Sequence, residues 1–531
     1  MIRYRSAKQL TLAEFDWPFQ TDLDENNRWV VLAGCIPWDE LAQAYHKALG
    51  QSGQGRPNKD ARLVIGAVII KHKLCVSDRE TVAQIQENPY LQYFVGLSGY
   101  QQAAPFAPSL LVEVRKRMGQ GVFDAFHESL IDAVESRKSR EAPSGARGVR
   151  SHDDDEPPGA AAQGDSPGEE DVEPTRQGKL VLDATVAAQA IRYPTDLSLL
   201  NEAREHTEQI IDKLYAHSGL KRKPRTYRQR ARREYLSVVK LKRPSATVRR
   251  RGIKQQLQYL RRNLGHIEKL LALWPEGTPL PLPNWLLRRY WVIPHLYAQQ
   301  REMYERKVRR CDRRIVSISQ PYVRPIVRGK VDKPTEFGAK FSVNLNGDGL
   351  ASVDHLSWEA YHEGNVLEAQ VERYRERHGH YPEVVIADQI YGTRSNRRYL
   401  KERHIRFAGK PLGRPKKVTE ENKAQLQEEK RQRRRDYRDR NPIEGKFGQG
   451  KGGYRLNYIR AKRADTSVAW INSIFLVMNL LVLLKFFFVL WQWGVEVVHR
   501  LHRRLQRASV VSAWLGPGSV RDQLVPGYYI S

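Results

Sequence analysis

The run Glu383-Val-Val-Ile-Ala-Asp388 constrains this chain more than any other short stretch. Four apolar residues follow one another without the polar alternation of a half-exposed strand. Such a strand has to be covered on both faces, the pattern of a parallel strand inside an α/β layer. A parallel strand needs a crossover. Residues 365–377 read as an amphipathic helix that supplies one, with Val366, Leu367, Val371 and Tyr374 on its apolar side. The run ends on an acid, and a carboxylate buried at a strand end is costly unless a cation or hydrogen bonds hold it. Asp388 is therefore a first candidate for chemistry.

A second run has the same shape. In Lys179-Leu-Val-Leu-Asp183 three apolar residues lead straight into an aspartate, and Thr185 and Val186 keep β-character beyond it. Each aspartate is expected to end a buried strand. Between the two, residues 325–330 have sheet character, and Glu336 to Leu345 reads as a strand. Asn346-Gly-Asp-Gly349 is a hairpin turn, and residues 350–356 return as the next strand. Gln389 to Gly392 turns the chain, Ser395 to Arg403 is helical, and Ile405 to Ala408 is a further short strand.

Residues 1–135 read as an all-α N-terminal domain. Ala61 to Cys75 is an apolar helix, and Ser77-Asp-Arg-Glu80 is a capping box opening a second helix to Glu87. A third helix, Ser109 to Met118, carries Arg115, Lys116 and Arg117. Short helices, tight turns and basic ends suit a helix-turn-helix-like DNA-binding module, and equally a plain helical bundle. Residues 136–178 form a linker rich in Ser, Gly, Pro, Ala and acids, expected to be disordered; its Asp153-Asp154-Asp155 run is read as solvated. Residues 494–531 are a C-terminal tail.

The chain has 531 residues and a formal net charge of +29. That length implies several domains, and that charge implies a polyanionic partner, nucleic acid first. Much of it sits in a helical insertion at about 200–315, where residues 221–262 contain a single acid, Glu234, with Tyr227, Tyr235 and Tyr259 interleaved. This density suggests phosphate contacts. Cys35, Cys75 and Cys311 are far apart, which excludes a CxxC zinc site and fits a reducing cytoplasm. No secretion leader is expected, and the sequence contains no Walker loop, HExxH or GxSxG. Val468 to Trp493 is long and apolar enough to cross a bilayer, but it contains Asn472, Asn479 and Lys485 and is read as a buried core helix.

The most specific pattern is Tyr437-x2-Arg440-x3-Glu444-x6-Lys451. On one helix these four residues fall within about 60° of one face. A carboxylate flanked by cations suits phosphate chemistry, the acid holding a metal while the cations grip a phosphodiester. Asn441-Pro442 reads as a helix start, which would leave Tyr437 and Arg440 just before the helix.

This spacing resembles the tyrosine-arginine-glutamate-lysine signature of bacterial insertion-sequence transposases with an Asp-Asp-Glu active site. The resemblance covers roughly residues 56–118 and 179–485. The Asp388-x2-Tyr391-Gly392 context and the segments ending at Lys330 and Lys340 are also similar. It implies an α/β ribonuclease H-like catalytic domain at 179–493, with Asp183, Asp388 and Glu444 as catalytic metal ligands for magnesium or manganese, two ions in all. It implies that Tyr437, Arg440 and Lys451 contact DNA, that a homodimer holds two element ends, and that the protein is cytoplasmic and nucleoid-associated without stable membrane association. One departure is visible: the spacing from Asp183 to Asp388 is long, and the β-rich insertion that some relatives carry before the glutamate is absent. Three other readings stay open at this point. They are a DNA-binding protein of transposase ancestry without catalysis, a metal-dependent nuclease without strand transfer, and a membrane-associated basic protein.

Overall fold

Strand β1 (Lys179–Ala188) lies at the centre of a six-stranded mixed sheet. On one side it pairs antiparallel with β3 (Thr335–Leu345), with Asp183 opposite Val343. On the other it runs parallel to β5 (Val384–Ile386), which is itself parallel to β6 (Arg406–Ala408). The outer edge of β3 is shared by two antiparallel strands, β2 (Arg324–Val327) at its start and β4 (Ala351–Ser357) along the rest. The computed structural model describes residues 15, 22–49, 58–141, 176–275, 277–327, 335–414 and 417–485.

The alternation of β1 decides which side chains meet which layer, because successive residues of a strand face opposite ways. Leu180 and Leu182 pack with Val385 under helices α12 (Leu367–His378) and α13 (Arg394–Glu402), where Val371 and Leu400 are buried. Val181 and Ala187 face the other layer, built from α14 (Glu420–Gly453) and α15 (Ala464–Lys485). Asp183 and Thr185 share that second parity, so they face α14. The β5 run is covered on both sides, as its unbroken apolar sequence requires. In the β3–β4 turn, the Asn346 side chain accepts from the backbone N–H groups of Asp348 and Leu350, and Gly349 takes a φ of +80°.

Between β1 and β2 the chain builds the helical insertion from α8 (Asp196–Tyr215), α9 (Arg228–Val239), α10 (Ala246–Ala272) and α11 (Asn284–Arg306). These helices have apolar cores of their own, around Leu200, Leu260 and Ile293 and around Ile211, Ile267 and Leu286. The N-terminal region is α1 (Arg28–Cys35), α2 (Trp38–Leu49), α3 (Ala61–Leu74), α4 (Asp78–Glu87), α5 (Pro89–Phe94), α6 (Leu110–Arg117) and α7 (Gln120–Glu141).

Helix α15 is the long apolar segment. It presents Ile471, Ile474, Phe475 and Met478 to the sheet core, and Leu476, Val477, Leu480 and Leu483 to the core of the N-terminal helices. Of its most apolar window 72% is buried. Its asparagines are satisfied inside the protein: Asn472 donates to Gln120 at 2.8 Å, and Asn479 exchanges hydrogen bonds with the Ala351 backbone at 2.8 and 2.9 Å. This is the arrangement of a core helix.

Four sequence expectations need correction. The helix preceding the linker continues past residue 135 to Glu141, and the linker core at 142–175 lies outside the described residues, as do 486–493 and the tail. The capping box at Ser77 is half formed: Ser77 accepts from the Glu80 N–H, while the Glu80 carboxylate accepts from Gln84. Asp183 does not end its strand, because its pairing with β3 carries β1 on to Ala188. Helix α14 does not begin at Pro442; it starts more than twenty residues earlier and runs through the proline.

Candidate active site

Helix α14 is clamped to the sheet just before its candidate residues. Arg406 of β6 holds Asp436 with two hydrogen bonds of 2.6 and 2.8 Å, and Lys179 of β1 reaches Asp439 at 2.6 Å. One and two turns later Ile443 and Phe447 are buried in the sheet core. These contacts aim Arg440 across the sheet where β1 and β5 lie side by side.

The Arg440 guanidinium stands among three carboxylates. It lies 3.5 Å from Asp183, 3.6 Å from Asp388 and 3.2 Å from Glu444, one helical turn ahead on its own helix. The chain thus brings together acids from a central strand, from the turn that follows a neighbouring parallel strand, and from a helix, separated by up to 261 positions in sequence. Asp388 sits just past β5, where it caps a short turn by accepting from the Gln389 N–H at 2.7 Å. Asp388 and Glu444 are about half exposed, at 53% and 54%, whereas Asp183 is 14% exposed. Burial pushes the Asp183 carboxyl above its ordinary value, with help from the charge of nearby Glu363. The Ala184 N–H and Arg440 oppose that rise.

The other two residues of the helical pattern separate. Lys451 donates to Thr185 on β1 at 2.8 Å, so it is docked on the strand that carries Asp183. Tyr437 is 64% exposed. Arg440 and Lys451 thus reach residues of β1, while Tyr437, on the same face of the continuous helix, stays exposed. Two participants carried no sequence signal. Thr185 looked like ordinary strand filler. The Glu363–Lys340 ion pair, at 2.9 Å, adds a fourth carboxylate that is felt by Asp183; Glu363 opens a short 3-10 turn that carries no motif.

Among the described residues, no group of three His, Cys, Asp or Glu side chains is arranged to hold a metal ion. Arg440 occupies the middle of the carboxylate group instead. The donor set itself fits a hard divalent cation. It is all oxygen, anionic and reachable from solvent through Asp388 and Glu444.

Comparison with known proteins bears on this geometry. Residues 385–481 match the family described as "Transposase DDE domain", a stretch that contains Asp388, Glu444 and α15 up to Leu481. Residues 18–117 match the family described as "Transposase domain (DUF772)", which covers α1 to α6. Asp183 and the helical insertion lie outside both stretches. The chain is 36% identical over 115 residues to "Uncharacterized protein ORF8 in nfe locus" of Rhizobium meliloti, which is 21% of this chain and 53% of that protein. The chain therefore spans about half the length of this relative. No solved structure matches the chain. One match to a transposase domain at the N-terminal end and a second around Asp388 and Glu444 together support an insertion-sequence transposase.

Proposed function

We propose that this protein cleaves DNA at the ends of its own insertion sequence and joins the freed ends to target DNA. One observation carries the reading: three carboxylates remote in sequence meet around one arginine, on the α14 face of the sheet. Their order along the chain supports a ribonuclease H-like core. The first acid is on the central strand, the second follows the adjacent parallel strand, and the third is on a late helix packed across both.

Asp183, Asp388 and Glu444 would hold magnesium or manganese, two ions in the full complement. When bound, such ions supply Lewis-acid activation of the attacking and leaving oxygens. The residues of the chain do the rest. In hydrolysis, a water oxygen attacks the phosphorus and gives its proton to solvent, the P–O3′ bond at the element end breaks, the departing 3′ oxygen takes a proton to become a hydroxyl, and the phosphate stays on the 5′ end of the flanking strand. In joining, that hydroxyl oxygen attacks a target phosphodiester in the same way. Asp183 is held rigidly in its strand, so it fixes the position of the site. Arg440 balances the carboxylates and is placed to bind a phosphate oxygen entering among them. Lys451, anchored on Thr185, adds positive charge beside Asp183. Exposed Tyr437 is available to the DNA beyond the scissile bond. The N-terminal helices, with Arg115, Lys116 and Arg117 on α6, would bind the terminal repeats, and a homodimer would hold two ends together. The +29 charge would keep a cytoplasmic protein on the nucleoid.

A second reading, a DNA-binding descendant without catalysis, draws on the position of Arg440 where ions would sit. One experiment separates the two. The wild-type protein is incubated with an end fragment of its element in magnesium, beside Asp388→Asn and Glu444→Gln. The expected outcome is nicking at the element boundary by wild type, with a loss of at least about a hundredfold in each variant while DNA binding is retained. Binding without cutting by the wild type, in magnesium and in manganese, would establish the non-catalytic reading.

A further inference from the structure

The helical insertion and the outer edge of the sheet enclose a second basic site. A cleft of about 980 Å³ lies between α10, α11, the segment after α11 and the β2–β3 edge. That is the upper end of the roughly 300–1,000 Å³ usual for ligand sites. Its walls carry six cations against two carboxylates. The positive charge comes from two separate segments, Arg249 and Arg250 at the start of α10 and Lys307, Arg309 and Arg310 just beyond α11. One of the two acids is already engaged, since Asp196 accepts from Arg314 at 2.5 Å and Gln300 at 3.0 Å. Among the described residues no carboxylate pairs with Arg249, Arg309 or Arg310. So much like charge in one concavity is unfavourable unless an anion enters it.

The wall is also aromatic. Tyr193 is 71% exposed, with its ring set against Phe337 at 5.5 Å and nearly perpendicular to it. Tyr304 carries the Arg250 guanidinium 4.1 Å above its ring. An intact duplex shows phosphates and sugars to such a wall and no base face. An exposed ring among arginines in a concave groove is instead the device that binds single strands, where bases stack on the ring and phosphates meet the cations.

We propose that this cleft binds an unpaired DNA strand, with a base on Tyr193 and phosphates on Arg249, Arg309 and Arg310. The choice of DNA rests on the transposase reading above. The location suits a strand released at the carboxylates. Tyr193 follows Asp183 by ten residues on the same chain, so the two are at most about 35 Å apart. That is about one turn of duplex. A strand freed by a nick at Asp183 can reach the cleft, where its occupation keeps the end open.

The test uses the full-length protein without divalent metal and a short oligothymidylate containing one 2-aminopurine, with a duplex of equal length beside it. Wild type is expected to bind the single strand and to change the 2-aminopurine emission. Tyr193→Ala is expected to weaken single-strand binding about tenfold with duplex binding unchanged, and Tyr193→Phe to restore it. Replacing Arg309 and Arg310 together by Ala should lower the slope of log affinity against log salt by roughly 1.4 for the single strand. The proposal is overturned if Tyr193→Ala binds the single strand as wild type does, or if it loses single-strand and duplex binding equally with an unchanged melting temperature. Normal stacking on Tyr193 by a wild type that never cuts its element's end in magnesium or manganese would sink the catalytic reading and leave this one standing. Cutting by a protein indifferent to Tyr193 would do the reverse.

Discussion

Asp78 is a carboxylate held between two buried cations, Lys71 at 2.9 Å and Arg115 at 2.7 Å. Both cations also lie over the ring of Trp470 on α15, at 4.5 and 5.4 Å. Burial alone would raise the Asp78 carboxyl, but Arg115 and Lys71 outweigh it and hold it down at about 2. A carboxyl lowered on folding stabilises the protein above its ordinary value near 3.9, and that stability is lost as pH falls through the folded value. Asp78→Asn should therefore cost on the order of 2 kcal/mol at neutral pH, with the gap to wild type closing between about pH 4 and pH 2. Urea titrations across that range check it, and a gap that does not depend on pH would refute it. The same cluster shows what sequence reveals about single residues. Ser77-Asp78-Arg-Glu80 was legible as a helix start because capping is local. That Asp78 also ties α4 to α6 was not, because Arg115 lies 37 positions away. Asp183 and Asp388 were candidates because each follows an apolar run of its own, and Glu444 because of the Tyr437-x2-Arg440-x3-Glu444-x6-Lys451 spacing. Thr185 and Glu363 had no such context.

At the scale of elements, α14 carries the strongest conflict between local preference and final structure. It contains Pro442 and five glycines, and it is still one helix from Glu420 to Gly453. Proline removes a backbone donor and clashes with the preceding turn, at a cost of about 3 kcal/mol. Anchoring by Asp436, Asp439, Ile443 and Phe447 on the sheet outweighs that penalty. The sequence pattern could not show this, because Asn-Pro is also a normal helix start. Gly448 has open space where a β-carbon would stand, so Gly448→Ala should stabilise the protein by about 1 kcal/mol through helix propensity alone. Gly338 on β3 is the opposite case. A β-carbon there would lie 1.9 Å from the Ala187 carbonyl oxygen of β1. Gly338→Ala should disrupt the β1–β3 pairing and sharply lower the melting temperature. Thermal melts of the two variants side by side test both statements, and equal shifts would contradict them. The strands themselves were readable from their apolar runs and turn residues; the length of β1 was not, since pairing with β3 extended it beyond its acid.

Across the whole molecule, α15 is shared by two cores, with Leu480 in the N-terminal one and Met478 in that of the sheet. Further contacts cross the same seam. Arg377 reaches Asp124 of α7 at 3.3 Å and Asp354 of β4 at 3.1 Å, and Gln120 donates to the Val353 carbonyl at 2.9 Å. The N-terminal helices and the sheet should therefore unfold as one unit. Leu480→Ala is expected to cost about 2–5 kcal/mol. It should also speed hydrogen exchange in α3 and β3 together; faster exchange in α3 alone would show independent lobes. By itself the amino-acid sequence determined the identity of most elements, the α/β class and the basic character, because periodicity, capping and charge are properties of neighbours along the chain; the three candidate acids, as a set, came from the resemblance carried by the Tyr437 to Lys451 spacing. Only the tertiary structure decided that Arg440 sits among those acids, that Lys451 docks on Thr185, that α15 is shared between cores and that the insertion forms a basic cleft. Each of these depends on contacts between residues far apart in sequence, where the free energy comes from burial and charge pairing that no local pattern records.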